Sequence, residues 1–330
     1  MNKYDRITPE GTRDALFAEC TLRRELENRL HGLFAARGYS EIITPTLEFY
    51  DVFNRDANPF PQEQMYKLTD AKGRLLVLRP DNTVPIARVC ATRLRTAALP
   101  LRLCYQQNIH VISPSLKGRD DEISQAGIEL IGSDSRMADL EVIAAAVDAL
   151  QACGDEYALE LGNAAFFREL MQQLPAPEHI KETIRDCIEA KNYPELNDIL
   201  SALPDSETTK ALRMLPRLYG GEEVLSGGRY DKLLAEFGYD VPATGFAVNI
   251  DAAVKVLSRQ QTAAAAPASN VLIWAAEGCE AEAIEAATNL RKKGLVVEHS
   301  LSESLEDARR YAAEHGIDSV LPIEPSSKGE

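Results

Sequence analysis

The chain has 330 residues, 45% of them hydrophobic, enough for one large domain and a small second one. A net charge of −15 argues against nucleic acid as a partner, because phosphate affinity needs lysine and arginine gathered in a local patch. No run approaches the roughly 20 apolar residues of a membrane span, and the polar opening MNKYDRITPEGTRD does not read as a secretory signal, so a cytoplasmic protein is expected.

Residues 15 to 37 read as an amphipathic helix: Leu22, Leu26, Leu30, Leu33 and Phe34 recur at helical spacing, and Gly38 supplies the stop. YSEIITPTLE (39–48) reads as a strand ending at Pro45. MYKLTD and RLLVLRP flank an Ala71-Lys72-Gly73 turn and predict a hairpin. Thr83 is placed to cap a helix through Arg93, with Pro85 in the first turn, where no donor is lost. LRLCYQQNIHVI and EISQAGIELIG predict two more strands, and Leu140, Ile143, Val147 and Leu150 form another helical stripe. Residues 165 to 215 read as helical throughout, with no chemical motif. LSGGRYDKLLAEFG reads as a glycine turn with a short helix, and GFAVNIDAAVKVL as a strand running into a helix.

RQQTAAAAPASN has linker composition. Beyond it, NVLIWAAE, EAEAIEAATNLRKKG, LVVEHSL, SLEDARRYAAEHG and IDSVLPI alternate strand and helix, the pattern of three parallel strands with crossover helices. The expected organisation is α+β: residues 1–258 around a mostly antiparallel sheet with flanking helices, a linker at 259–269, and a small α/β domain at 270–330. From residue 268 onward six basic residues face twelve acidic ones, so no basic face compensates the overall charge there.

Six cysteines are scattered, with no C-x-x-C and no close Cys/His grouping, so neither zinc nor disulfides are expected. The five histidines show no pairing with a serine or cysteine nucleophile. Three stretches remain as candidates: LRPDNT (78–83), Gln125 with Glu129, and SGGRYD (226–231). Asp81 and Thr83 sit at a strand-to-helix junction. Gln125 and Glu129, an even number of residues apart, share one strand face, and Glu129 points away from Ile128 and Leu130. Two carboxylates and an amide converging from neighbouring elements can grip a ligand's ammonium group. The competing reading pairs Asp81 and Glu129 with Arg79, Arg88 or Arg102. Gly227-Gly228 brings backbone close to a neighbour, with Tyr230 as a donor. The hairpin QNIHVISPSLKGRDDEISQAGIEL adds an unexplained Asp120-Asp121-Glu122 run just after its tip.

Taken in order, GTRD (11–14), YSEIITPTLE, MYKLTD, LRPDNT with IARV, LKGR with SQAGIELIG, GGRYD and GFAVNI resemble the catalytic domain of histidyl-tRNA synthetases over residues 5 to 255. The resemblance implies a class II aminoacyl-tRNA synthetase-like antiparallel sheet. The C-terminal stretch resembles a shortened anticodon-binding α/β domain. Aligning on Lys117-Gly118-Arg119 puts Val111 and Ser113 where synthetases carry the arginine and glutamate of Phe-Arg-x-Glu. Asp121 then falls at the second family arginine, and Ala252 at the arginine of Gly-Ile-Glu-Arg. Those arginines meet the charge that develops on phosphate during adenylate formation. The resemblance therefore implies no catalytic residue, no cofactor and no tRNA.

The amino-acid half of the family site is retained, and histidine-binding positions map onto Asp81, Thr83, Gln125, Glu129 and Tyr230. LRPDNT, where synthetases favour Glu-Gly-Thr, resembles the regulatory subunits of ATP phosphoribosyltransferase. That likeness implies a non-catalytic chain that partners the short catalytic subunit in the first step of histidine biosynthesis, with L-histidine as feedback effector. It also implies a homodimer, paired through the first helix-and-strand motif inside a hetero-oligomer. The alternatives are a synthetase-like module with another partner or amino-acid ligand, and an active histidyl-tRNA synthetase. One departure bears on the ligand. The family's Gly-Leu-Asp-Tyr-Tyr-Thr-Gly stretch, which closes over the imidazole, is absent ahead of GGRYD, which implies histidine binding weakened or lost and, in the latter case, a chain that is chiefly a structural partner.

Overall fold

Helix α1 (Ala18–Ala36) forms on the leucine stripe, with Leu22, Leu26, Leu30 and Phe34 all buried. Each such leucine removed from water contributes roughly 2 kcal/mol. Gly38 follows at φ 82°, the left-handed geometry that ends a helix without a Cβ penalty. The computed structural model describes residues 4–55, 60–112, 120–154, 156–162, 164–189, 192–218, 223–260 and 269–325. Ser113, the Lys117-Gly118-Arg119 tip, residues 219–222 and most of the expected linker (261–268) lie outside the described residues. Two compact units result: Arg29–Ala253, and Met1–Asn28 with Val254–Glu330.

In Arg29–Ala253 the stretch 39–48 is not one strand. It splits into β1 (Ser40–Glu41) and β2 (Leu47–Phe49), because Pro45 has no N–H to continue a ladder. The expected hairpin is β3 (Lys67–Thr69) against β4 (Leu75–Leu78), and β2 joins β4 to complete a three-stranded antiparallel sheet. Helix α2 (Thr83–Thr92) follows. Strands β5 (Leu101–His110) and β6 (Glu122–Ile131) pair antiparallel over their full length. The central sheet has the order β1-β5-β6-β8-β7, with β7 at Leu225–Arg229 and β8 at Ala243–Asn249. Every pairing is antiparallel except β1 with β5. LSGGR is therefore a strand and not a turn, and the segment after it is a single 3-10 turn at Leu234–Phe237.

Side chains alternate across this sheet. On its back, Phe246 meets Phe34 edge-on at 5.9 Å between ring centroids. Helix α3 (Arg136–Cys153), capped by the Ser135 hydroxyl accepting from the Ala138 amide, packs on β6 and β8. On the front, Ile86, Ala87 and Cys90 of α2 pack with Leu103, Tyr105, Ile131, Leu234 and Ala243. Residues 164–218 form four helices, α4 (Ala164–Gln173), α5 (Glu178–Glu189), α6 (Tyr193–Ala202) and α7 (Glu207–Leu218). They share a core of Met171, Leu174, Ile184, Cys187, Leu196, Leu200 and Leu212. Helix α8 (Ile250–Gln260) leaves β8.

In the other unit β9 (Val271–Ala275), β10 (Val297–His299) and β11 (Ser319–Ile323) form a parallel sheet of order β10-β9-β11, as the alternating pattern predicts. Ile273 packs on α9 (Glu280–Lys292) and its neighbour Leu272 on α10 (Leu305–Glu314), so the two helices cover opposite faces. Among the described residues, no helix is long and apolar enough to cross a membrane.

Candidate ligand-binding site

The front of the central sheet carries three rows of facing residues. Leu103, Glu129, Gly245 and Gly228 form one; Tyr105, Gly127, Ala247 and Ser226 the next; Gln107, Gln125 and Asn249 the third. Tyr230 extends the same face, since its amide donates to the Ala243 carbonyl at 2.9 Å. Four of these eleven residues are glycine or alanine, and Glu129 stands on the central strand among them. The glycines are used by their neighbours. A Cβ on Gly127 would lie 2.5 Å from the Tyr105 hydroxyl oxygen, and one on Gly245 would strike the Glu129 carboxylate.

Asp81 and Thr83 form the wall at the start of α2, with roles that differ from the sequence expectation. The helix is capped by Asp81, whose carboxylate accepts from the Val84 amide at 2.7 Å. The Thr83 hydroxyl does not cap; it donates to Glu129 at 2.8 Å. Thr83 also hydrogen-bonds Tyr105. Glu129 is only 1% exposed, and among the described residues its second oxygen has no partner. Burial, followed by the nearby Asp81 charge, pushes the Glu129 carboxyl well above the ordinary carboxylate range. Burial also raises Asp81, against the lowering effect of three backbone amides. The same surroundings push the Tyr105 phenol well up, and the Cys90 thiol to about 12.

The arginines do not neutralise these carboxylates. Buried Arg79 donates to the carbonyls of Thr44, Pro45 and Asn108 and to Gln107 Oε1. Arg88 pairs with Glu48 and Arg102 with Glu141. Gln125 accepts from the Asn82 amide at 3.1 Å. Besides Glu129 Oε2, buried atoms without a partner include Tyr230 Oη, Asn82 Oδ1 and Gln107 Nε2. A desolvated carboxylate with an unpartnered oxygen, on a sheet face that carries further unpartnered polar atoms, suits a cationic, hydrogen-bonding ligand. Sequence reading missed Tyr105 and Gln107 and did not single out Asn82 within LRPDNT. The period-two phase of β5 holds the signal, but only once its pairing with β6 is known.

The positions aligned with synthetase arginines have other uses. The Val111 amide donates to the Asp121 carbonyl, and the Asp121 carboxylate accepts from the Tyr66 hydroxyl at 2.6 Å. Glu122 accepts from Asn108 at 2.7 Å. Ala252 is buried in the first turn of α8.

The sequence matches the Histidyl-tRNA synthetase family over residues 11–226 and 221–253. Among curated proteins, an ATP phosphoribosyltransferase regulatory subunit from Clostridium novyi is 34% identical, over 98% of this chain and 93% of its own length. One from Clostridium acetobutylicum is 35% identical, over 97% and 96%. This chain belongs to the ATP phosphoribosyltransferase regulatory subunit family. A crystal structure described as an ATP phosphoribosyltransferase regulatory subunit/histidyl-tRNA synthetase, from Bacillus halodurans, superposes with TM-score 0.82 at 26% identity, covering 98% of this chain and 100% of that one. Apo histidyl-tRNA synthetase from S. aureus shares the fold, with TM-score 0.68 at 20% identity over 96% and 91% of the two chains.

This member of the regulatory-subunit family is shorter than those relatives. The C. novyi alignment runs over 393 residues, whereas 98% of 330 is about 323, so about 70 residues of that relative have no counterpart here. The two segments of the family match overlap at 221–226, which includes the start of β7.

Proposed function

We propose that this chain is the regulatory subunit of ATP phosphoribosyltransferase, acting in the first step of histidine biosynthesis and binding L-histidine on the front of its central sheet. Membership of the family supports the role. The observation that carries the ligand is Glu129, a buried carboxylate with one oxygen given to Thr83 and the other without a partner. The ligand's α-ammonium group supplies the missing cation. Asp81 adds negative charge, and Gln125 and Tyr230 offer polar atoms. Chemistry on ATP is not part of the reading, since valine, aspartate and alanine stand where adenylate formation needs arginine.

Histidine acts as a feedback signal by binding the inhibited assembly more tightly than the active one; coupling of 1–3 kcal/mol, about 5- to 150-fold in affinity, is typical. The partner is the short catalytic subunit, in a cytoplasmic complex. A homodimer within it is supported by the β2-β4-β3 sheet, which leaves Leu47, Phe49 and Leu68 exposed on one face.

The test mixes the chain with the short catalytic subunit and measures phosphoribosyl transfer with and without histidine. Co-elution, activation and histidine-dependent inhibition are expected. Absence of both co-elution and any change in activity sinks the proposal. Histidine-dependent ATP–pyrophosphate exchange is expected to be nil.

A further inference from the structure

Strand β7 ends the central sheet, and among the described residues only β8 pairs with it. The phase of that pairing is fixed at both ends: the Asn249 amide donates to the Val224 carbonyl, and the Tyr230 amide to the Ala243 carbonyl. In an antiparallel ladder the bonded residues alternate. Even-numbered residues 224 to 230 therefore spend their backbone groups on β8. Leu225, Gly227 and Arg229 turn theirs outward, three donors and three acceptors along one open edge.

Natural edges are guarded by lysine, proline, bulges or a covering element. Here Ser226 through Arg229 are exposed, and two of the four are glycine. The one long side chain is turned aside, since Arg229 holds Asp139 at 2.6 Å and Asp231 at 2.9 Å. That clamp ties β7 to the first turn of α3, where Met137 and Leu140 are 67% and 49% exposed. Among the described residues, an unguarded edge is thus tethered to the helix start that carries these exposed apolar side chains. The two segments of the family match, 11–226 and 221–253, meet at the start of this strand.

A second copy is a poor occupant. Symmetric antiparallel pairing about Gly227 would set glycine against glycine and Leu225 against Arg229, with almost no cross-strand packing to stabilise it. A foreign strand can bring what β7 lacks. We propose that the open edge of β7 receives an extended strand of the catalytic ATP phosphoribosyltransferase subunit, a docking mode that rests on the regulatory-subunit reading above. Its alternate residues are apolar where they face Leu225, Met137 and Leu140, and its flanks are basic, matching a receiving chain of net charge −15. The added strand also borders the row of Gly228 and Gly245, which brings the partner to the margin of the ligand-binding face.

Amide hydrogen exchange on the full chain, alone and with the short catalytic subunit, tests this directly. The amides of Leu225, Gly227 and Arg229 are expected to exchange freely in the chain alone and to slow at least about tenfold in the complex. Those of Ser226 and Gly228, already bonded to β8, serve as internal controls. Leu225→Pro removes one outward donor and no bond to β8, and Leu225→Ala removes the same side chain while keeping the donor. The proline variant is expected to bind the catalytic subunit about tenfold more weakly than the alanine variant. If Leu225→Pro fails to fold, the exchange measurement on the unaltered chain still decides. A complex that forms with unchanged exchange at the three amides overturns the docking mode and leaves the regulatory reading standing. Failure of the unaltered chain to form any complex overturns both.

Discussion

Replacing Glu129 by glutamine separates what this carboxylate does for a ligand from what it does for the fold. The side chain is 1% exposed, and among the described residues its only hydrogen bond comes from Thr83 at 2.8 Å. A glutamine oxygen can accept that bond unchanged, so little packing is lost. What disappears is the charge. If the site holds an α-ammonium group against Glu129, the variant loses one charge-assisted hydrogen bond of about 1.5–3 kcal/mol. Histidine affinity then falls roughly 10- to 150-fold. Calorimetric titration of both proteins, assembled with the catalytic subunit, measures it. Equal histidine affinity in the two would refute the reasoning, and so would a variant that unfolds.

The pH dependence follows with a definite sign. The folded-state carboxyl of Glu129 lies well above the ordinary value of 4.5, because burial disfavours its charge. Below 4.5 both folded and unfolded chains hold the proton, and this group is neutral for stability. As pH rises from 4.5 towards the folded-state value, the unfolded chain releases its proton first, so stability falls through that window. Glu129→Gln removes this loss. The variant is expected to match the parent in acid and to melt higher at pH 7. A bound ammonium group lowers the carboxyl again, so histidine uptake in that window releases a proton and strengthens with pH.

Three further outcomes are expected. Gly245→Ala puts a Cβ against the Glu129 carboxylate and the Ile128 carbonyl; it should cost about 1–3 kcal/mol in urea unfolding and abolish measurable histidine binding. Arg79→Ala strips donors from Thr44, Pro45, Asn108 and Gln107, a loss of about 3 kcal/mol by chemical denaturation. Phe49→Glu, at an exposed position beside Leu47 and Leu68, should turn a dimer into a monomer in sedimentation with the melting temperature unchanged.

What was legible in the sequence is what short-range chemistry determines. The leucine stripe of α1, the β3–β4 hairpin with Gly73 in its turn, and the alternating C-terminal unit all depend on neighbours a few residues apart. The misread pieces depend on distant ones. LSGGR has poor strand propensity and becomes β7 because β8 supplies partners to its even-numbered residues. Thr83 reads as a cap, yet its hydroxyl goes to a residue 46 positions away while Asp81 takes the capping role. Gln125 and Glu129 were found from the phase of one strand. Tyr105 and Gln107 needed the register between β5 and β6, a non-local quantity that no single strand encodes.

The nucleotide half of the site tests whether a lost function can be restored by substitution. Val111 is half-buried near the strand end, with its amide bonded to the Asp121 carbonyl. An arginine there finds a carboxylate at hand and room for its stem, so Val111→Arg should change stability by less than about 1 kcal/mol. Ala252 is only 4% exposed. It lies in the helix turn where Asn249 accepts from the Ala252 amide at 3.0 Å and Asp251 accepts from the Ser124 amide at 2.7 Å. An arginine at that position must bury its guanidinium or force the turn apart, so Ala252→Arg should destabilise by about 2–4 kcal/mol. The double variant should still show no ATP–pyrophosphate exchange. Urea unfolding of the three variants, read with the exchange assay, decides. A fully stable Ala252→Arg would mean that the space for the nucleotide-binding arginine persists and that the chain is a synthetase short of two cations. The expected cost would mean that the space has been filled. Glu129, by contrast, keeps a buried ionisable group that lowers stability above pH 4.5 and that glutamine would replace, which is the mark of a residue held for binding.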